Sequence, residues 1–205
     1  MIKLENTEVV GWEHAIRGMR NPMNSWEKSD SHFIRDPDYG CSGNCPCEDI
    51  DGRCDCCFIG PNDLDLMKRL RNAGTDHRKF MRMITVYVDI LAPLYWWKEF
   101  DTYKVGTVAN SCSTMHKIHA KEFTLEDFSC EHLIDVDACK GAEMINMCGV
   151  MHTPLGALLE MIEALNLFRK LYLETKDKKY WWQMIQLLPT SYNQKRTVKI
   201  GRAHV

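Results

Sequence analysis

The stretch Phe80–Met115, FMRMITVYVDILAPLYWWKEFDTYKVGTVANSCSTM, carries the clearest secondary-structure signal in the chain. Within it, apolar β-branched residues over Ile84–Ile90 alternate with Thr85, Tyr87 and Asp89. Alternation with a period of two residues is typical of a strand that buries one face. The sequence therefore predicts a core strand over this segment.

A proline marks the end of the predicted strand. Pro93 has no backbone N–H and a fixed φ, so it cannot continue a sheet ladder, whereas it suits the first turn of a helix. Leu94 and Trp97 follow at helical spacing, up to a turn at Phe100. We expect a short helix after the strand, and then a glycine-bearing loop over residues 101–115.

The composition is that of a soluble globular protein. The chain has 205 residues, of which 45% are hydrophobic and 26% charged, enough for one domain with its own core. A formal net charge of -2 argues against nucleic acid as a partner. No apolar run reaches the ~18 to 20 residues of a membrane helix, and the start MIKLENTEVV lacks a signal-peptide pattern. We therefore expect a cytoplasmic protein with no membrane partner.

Six of the ten cysteines lie in a polar segment, residues 28–57, which we interpret as an insertion without regular structure. Without a secretory signal, such a cluster favours metal binding or reduced thiols over disulfides. The spacing lacks the paired C-x2-C of common zinc sites, yet four thiolates can still surround Zn²⁺. Reduced thiols and a structural zinc site stay open as alternatives, with candidate ligands Cys41, Cys45, Cys47, Cys54, Cys56 and Cys57.

Elsewhere the patterns are mainly helical. The sequence predicts an edge strand over Met1–Val10 and helices over Trp12–Met19, from an Asn62 or Asp63 cap to Gly74, from Thr153-Pro154 onwards, and over Tyr180–Leu188. Thr124 and Asp127 have the spacing of a capping box. His116 and His119 lie three apart; a solvated pair and a metal site are the alternatives, since no third ligand has a convincing spacing.

The order of strand, Ala92-Pro93, aromatic helix, basic cluster and Ser-bearing loop resembles the flavin-dependent thymidylate synthase family. The family signature is Arg-His-Arg followed after seven residues by Ser. Here Thr102-Tyr103-Lys104 stands in place of Arg-His-Arg, and Cys112, flanked by Ser111 and Ser113, stands in place of the Ser. The signature itself is therefore broken, and the resemblance lies in the order of the elements.

This resemblance implies an α+β fold with an antiparallel sheet packed with helices, as a single domain over residues 1–199. It also implies methylation of dUMP to dTMP with methylenetetrahydrofolate and NADPH, FAD carrying the hydride, and a homotetramer that shares its sites. That scheme needs no Cys nucleophile, so we assign no catalytic residue and expect Cys112 to be a buried small hydrophobe. The alternatives are a nucleotide- or flavin-binding protein of this fold without methylation, and a metal-stabilised interaction protein.

The resemblance also implies the site residues. His77 holds the place of a flavin-contacting His, although a lone His before a strand is usually a polar surface residue. Leu188-Pro189 resembles a turn that leads into a polar helix. The cofactor-binding candidates are His77, Tyr103, Lys104 and Asn193, and the substrate-binding candidates are Ser111, Ser113, Gln194 and Arg196.

Two further segments have alternative interpretations. Arg20 and Ser25 resemble a basic, hydroxyl-bearing turn that the family places near its site, or they form a solvated helix end. Residues 199–205 can be encoded by the start of a common sequencing adapter. We expect residues 200–205 to be an assembly artefact and the true protein to continue.

Overall fold

The structure, a computed structural model, describes residues 2–33, 57–103, 105–135, 144–145 and 151–201. The strands are β1 (Lys3–Val10), β2 (His32–Phe33), β3 (Cys57–Phe58), β4 (Thr85–Pro93), β5 (Thr107–Ser111), β6 (Met144–Ile145), β7 (Met151–His152) and β8 (Asn193–Gly201). The α-helices are α1 (Trp12–Arg20), α2 (Pro61–Asn72), α3 (Leu94–Phe100), α4 (Pro154–Thr175) and α5 (Lys178–Leu187). None of the helices described is long and apolar enough to cross a membrane.

The fold is α+β with antiparallel strands and helices, as predicted. Four strands form a sheet in the order β1-β4-β8-β5, and β2-β3 and β6-β7 form two small antiparallel pairs. At β5 and β8, Cys112 N donates to Lys195 O at 2.9 Å, and Gly201 N donates to Gly106 O at 2.7 Å. Residue numbers rise along one strand as they fall along the other, so this pair is antiparallel.

The predicted core strand is confirmed as β4. Val88, Ile90 and Ala92 are buried, whereas Tyr87, one of the residues that alternate with the apolar positions, is exposed. The strand continues to Pro93, which precedes α3 as its N-cap residue rather than lying in its first turn. The alternation thus identified both the strand and its buried face.

Two segments after the core strand differ from prediction. The expected loop over residues 101–115 contains β5, and the polar helix expected after Leu188-Pro189 is the strand β8. Both segments gain their backbone hydrogen bonds from each other or from β4. Because such bonds join residues far apart in sequence, local patterns did not reveal them.

The chain divides into two compact units, each described by itself. The first comprises Met1–Asn6, Val88–Lys104 and Ala109–Val198. Its core is built by α4 and α5, with Leu165 and Met184 fully buried. Helix α4 begins at Pro154 as predicted, and Thr153 caps it, its Oγ1 accepting from Gly156 N at 2.9 Å.

The second unit comprises Thr7–Tyr87, Val105–Val108 and Lys199–Val205. In it α1, α2 and a 3-10 helix over His77–Met83 enclose a core around Ile16 and Phe80. The chain enters α1 through Gly11, whose φ is 94° and whose missing Cβ would lie 2.1 Å from Met83 O. Only glycine fits this close approach.

Candidate functional site

Strand β8 carries three of the predicted site residues, and its pleat separates them. Successive side chains of a strand point to opposite faces. Gln194 and Arg196 therefore share one face, and Asn193 lies on the other. The helix predicted for this segment would have arranged them differently, so the strand changes which candidates can act together.

Arg196 is held in place by several contacts within the first unit. Its Nε donates to Gln194 Oε1 at 2.9 Å, and its Nη1 donates to Asp101 Oδ1 at 2.7 Å. The guanidinium carbon lies 4.2 Å from the ring centre of Trp97, a cation–π distance. Gln194 is itself fixed, because its Nε2 donates to Cys112 O at 2.7 Å and its backbone O accepts from Trp97 Nε1 at 2.9 Å.

These contacts leave part of the Arg196 fork unused. A guanidinium carries five N–H donors, and two of them have hydrogen-bond partners among the described residues. The remaining donors suit a phosphate or carbonyl oxygen. Sequence reasoning identified Arg196 and Gln194 but missed Asp101 and Trp97. These two residues lie one helical turn apart at the C-terminal end of α3.

Asn193 has a polar atom without a partner. Its Nδ2 lies 3.4 Å from Glu126 O and donates to it. Its Oδ1 is buried and, within the described part of the chain, accepts no hydrogen bond. Leaving a buried acceptor unpaired costs free energy, so a ligand N–H is a fitting partner for this oxygen.

The hydroxyl residues of the predicted loop lie on or just after the edge strand β5. Ser111 and Ser113 are exposed, and Ser113 Oγ accepts from Met115 N at 3.2 Å and His116 N at 2.9 Å. The Ser113 hydroxyl hydrogen thus remains available to a ligand. Cys112 between them is exposed rather than buried, so the expectation of a buried small hydrophobe is wrong.

The basic cluster is described only in part. Tyr103 is 72% exposed, which is compatible with stacking on a ligand ring but fixes no geometry for it. Lys104 lies outside the described residues. The role predicted for each stays a prediction.

On the opposite sheet face, a polar network that sequence reasoning missed surrounds Asp89. This carboxylate accepts from Thr197 Oγ1 at 2.6 Å and from Asn6 Nδ2 at 2.9 Å. The hydrogen bond from Thr197, then that from Asn6, lowers the pKa of Asp89 against the effect of burial. Lys195 Nζ lies 3.4 Å from Asp89 Oδ2 and 2.8 Å from Glu5 Oε2. The network joins three strands and leaves these charges paired.

In the second unit, Arg20 and Asp63 form a buried ion pair. Arg20 is only 4% exposed, and its Nε and Nη2 each lie 2.6 Å from Asp63 Oδ1. Asp63 Oδ2 also accepts from Ser29 Oγ at 2.7 Å and from Ser31 Oγ at 2.6 Å. Burial raises the pKa of Asp63, but the bonds from Ser31, Ser29 and Arg20 outweigh it, so the pKa is lowered.

This ion pair corrects two expectations. Arg20 donates from Nη1 to Ser25 O at 3.2 Å, so these two residues do meet, but Arg20 is not at a solvated helix end. Asp63 does not cap α2. The cap residue is Gly60, and Asp30 accepts from Asn62 N at 2.8 Å and Asp63 N at 3.0 Å instead.

A cavity of about 300 Å³ adjoins the ion pair within the second unit. Ile16 and Phe33 contribute apolar surface, Trp26 an aromatic face, and Arg17 and Glu13 charges of opposite sign. Such a mixture is typical of small-molecule sites. His77 is exposed in the same unit, and its predicted flavin contact stays a prediction.

The metal alternatives gain no support from the described residues. The described residues contain no group of three or more His, Cys, Asp or Glu placed to hold a metal ion. His119 packs edge-on against Tyr172, with ring centres 5.0 Å apart. Burial, with Lys117 and other nearby cations, lowers the pKa of His119. Of the cysteine cluster, Cys41 to Cys56 lie outside the described residues, and Cys57 is described only by its backbone in β3.

Comparison with known proteins gives structural neighbours only. No protein-family model matches the sequence, and no curated protein matches it. Thymidylate synthase X from Helicobacter pylori, solved with FAD and dUMP, is similar with a TM-score of 0.55 at 15% identity, covering 99% of this chain and 79% of that one. The UMP/dUMP methylase PolB from Streptomyces cacaoi, bound with 5-Br dUMP, is similar with a TM-score of 0.53 at 10% identity, covering 98% and 72%. At these identities the likeness concerns the fold.

Proposed function

We propose that this protein is a divergent flavin-dependent thymidylate synthase that methylates dUMP to dTMP, with FAD as cofactor and methylenetetrahydrofolate and NADPH as co-substrates. The observation that carries the proposal is the fold likeness over 99% of the chain to an enzyme solved with FAD and dUMP. The order of motifs around Pro93 points to the same family independently. The proposed homotetramer rests on the family resemblance and is checked by light scattering.

The residues on β8 and β5 fit a pyrimidine nucleotide and a flavin chemically. Both ligands carry an imide N–H, which is the donor that Asn193 Oδ1 lacks. Both also carry phosphate, for which the unused donors of Arg196 are suited. Ser111 and Ser113 add exposed hydroxyl donors beside Cys112. From the family resemblance we assign Asn193 to the flavin and Arg196, Gln194, Ser111 and Ser113 to dUMP.

In the proposed mechanism the flavin supplies hydride chemistry, and the protein supplies orientation and charge. Arg196 neutralises a phosphate or carbonyl oxygen of dUMP, and Gln194 with Asp101 keeps the guanidinium in one orientation. Tyr103 stacks on a ring, and Lys104 provides a point charge where the family has an Arg fork. No side chain is required as a nucleophile.

Tritium release from dUMP labelled at carbon 5 tests this function. Methylation replaces that hydrogen, so the label enters water. We expect release that depends on FAD, NADPH and methylenetetrahydrofolate together. The variant Arg196→Met, purified in the same way, should lose most of the release, which excludes a contaminating host enzyme. Absence of release from the wild-type protein under all conditions would refute methylation.

A second candidate is binding of the same nucleotides without methylation. It is favoured by the state of Arg196, whose guanidinium is already shared with Asp101 and Trp97 rather than left wholly to a substrate. The replacement of Arg-His-Arg by Thr102-Tyr103-Lys104 points the same way. In that case the flavin spectrum responds to dUMP while tritium release stays at background.

A further inference from the structure

Arg78 is a partly buried arginine whose side chain has no hydrogen-bond partner among the described residues. It is the second residue of the 3-10 helix His77–Met83. Its Nε is buried and has no hydrogen-bond partner, and no described residue supplies an acceptor to its guanidinium. Placing one N–H of a guanidinium where water is excluded, without an acceptor, costs free energy. A bound ligand with an oxygen acceptor is one way to remove this cost.

The other sheltered arginines of the described chain show what is missing. Arg20 pairs with Asp63, Arg196 pairs with Asp101, and Arg169 Nε donates to His119 O at 3.0 Å. Each has an oxygen acceptor close at hand. Arg78 differs from all three, although its burial is comparable with that of Arg169 and Arg196.

The surrounding sequence adds positive charge. Between residues 68 and 82, six side chains are cationic and only one, Asp76, is acidic, although the chain as a whole has a net charge of -2. The cations are Lys68, Arg69, Arg71, Arg78, Lys79 and Arg82. Of these, Arg69 is paired, with Asp65 Oδ2 at 2.8 Å. The segment therefore attracts an anion.

We propose that Arg78 binds the phosphate group of a nucleotide. The planar fork of a guanidinium matches two phosphate oxygens, and a bound anion would supply the acceptor that the buried Nε lacks. Arg78 then provides a fork elsewhere in a chain that has Lys104 where the family has two arginines. The nature of the nucleotide rests on the proposed function, whereas the phosphate site itself does not.

Thermal unfolding with matched ligands tests the phosphate contact. The full-length protein is heated alone and with FAD, riboflavin, dUMP, deoxyuridine or inorganic phosphate. A ligand that binds only the folded state raises the unfolding temperature with concentration. We expect FAD or dUMP to raise it more than riboflavin or deoxyuridine, respectively. The two pairs are FAD with riboflavin and dUMP with deoxyuridine. The pair whose members differ in unfolding temperature identifies the nucleotide whose phosphate is bound.

Three variants isolate the role of the fork. Arg78→Met removes the charge while keeping a long side chain, Arg78→Lys keeps the charge without the fork, and Arg82→Met removes an exposed arginine four residues away as the matched control. We expect Arg78→Met to weaken binding of the phosphate-bearing ligand about 10- to 100-fold. Arg78→Lys should fall between Arg78→Met and wild type, and Arg82→Met should bind as wild type does.

Stability without ligand gives a readout independent of binding. Because the Arg78 side chain has no acceptor within the described part of the chain, Arg78→Met should unfold at the same temperature as the wild type or higher. A structural role would instead lower it. An anion site therefore predicts two results for Arg78→Met: undiminished stability without ligand, and weaker binding of the phosphate-bearing ligand.

The outcomes separate this inference from the proposed function. If FAD or dUMP stabilises wild type and Arg78→Met equally, the Arg78 site is refuted and the proposed function stands. If inorganic phosphate alone stabilises the wild type, and Arg78→Met abolishes the effect, the site stands and the proposed nucleotides are wrong. If no phosphate-bearing ligand stabilises the wild type, both are refuted.

Discussion

At the scale of single residues, the buried pair Arg20–Asp63 has the largest expected effect on stability. Both side chains are almost fully buried, and Asp63 also accepts from Ser29 and Ser31. Removing one member of a buried pair leaves an uncompensated charge in a medium of low dielectric constant. Asp63 therefore serves the fold by compensating the buried charge of Arg20 and by holding its guanidinium in place.

The variant Asp63→Asn should lower the free energy of unfolding by about 3 to 5 kcal/mol, measured by urea denaturation. The control is Asp65→Asn, two residues along α2, which breaks the exposed pair between Asp65 and Arg69. We expect that change to cost less than about 1 kcal/mol. Equal effects of the two variants would contradict the account of the buried pair.

The same residue makes stability depend on acid pH. The pKa of Asp63 lies below its ordinary 3.8, since the bonds from Ser31, Ser29 and Arg20 outweigh the effect of burial. Its contribution to stability is fully present above that ordinary value and is lost as the pH falls through the lowered one.

Urea midpoints measured between about pH 5 and pH 2 should therefore fall more steeply for the wild type than for Asp63→Asn, which has no proton to gain at this position. Parallel curves for the two proteins would show that the titration of Asp63 is not coupled to folding.

At the scale of elements, the start of α4 has a side-chain cap. Thr153 Oγ1 accepts from Gly156 N, a donor that has no partner within the helix. Thr153→Ala should lower the free energy of unfolding by about 1 kcal/mol, and Thr153→Ser should retain most of it. A loss of the same size for both variants would place the effect in the side-chain methyl group instead.

The buried face of α4 gives a second test. Leu165 is 0% exposed in the core of the first unit, whereas Leu167, on the same helix, is 55% exposed. Leu165→Ala should lower the free energy of unfolding by about 2 to 5 kcal/mol, and Leu167→Ala by no more than about 0.5 kcal/mol. Chemical denaturation measures both. A large loss at Leu167 would mean that this face is covered in solution.

Local signals and distant pairing explain which elements were predictable from sequence. Three predictions are confirmed: the alternation of β4, the start of α4 at Pro154 and the capping box at Thr124. Each of these signals is contained in a few neighbouring residues. The strands β5 and β8 were missed because their partners lie far along the chain. Loop and helix predictions failed where tertiary pairing decided the structure.

The candidate site shows the same division. Arg196 and Gln194 were identified by resemblance, but their contact with Asp101 and Trp97 follows from the strand geometry of β8. The sequence offered Asn62 or Asp63 as the cap of α2, whereas the ion pair of Asp63 with Arg20 depends on how α1 meets α2. Arg78, whose side chain lacks an acceptor in the segments that the structure describes, carries no sequence signal beyond its basic surroundings.

At the scale of the whole molecule, fold and function rest on different support. The α+β fold with antiparallel strands is similar to a flavin-dependent thymidylate synthase over nearly the full chain. Thr102-Tyr103-Lys104 stands in place of the Arg-His-Arg of the family signature, so under the proposed function the contacts to phosphate come from other positions. Arg196 and Arg78 are the residues that we propose for this task.

The most direct test is a titration of the purified full-length protein with FAD and then with dUMP, followed by flavin absorbance. The account predicts a saturable change in the flavin spectrum on binding, and a second change when dUMP is added to the complex. A spectrum that remains that of free FAD throughout would contradict the claim that this fold binds a flavin and a pyrimidine nucleotide.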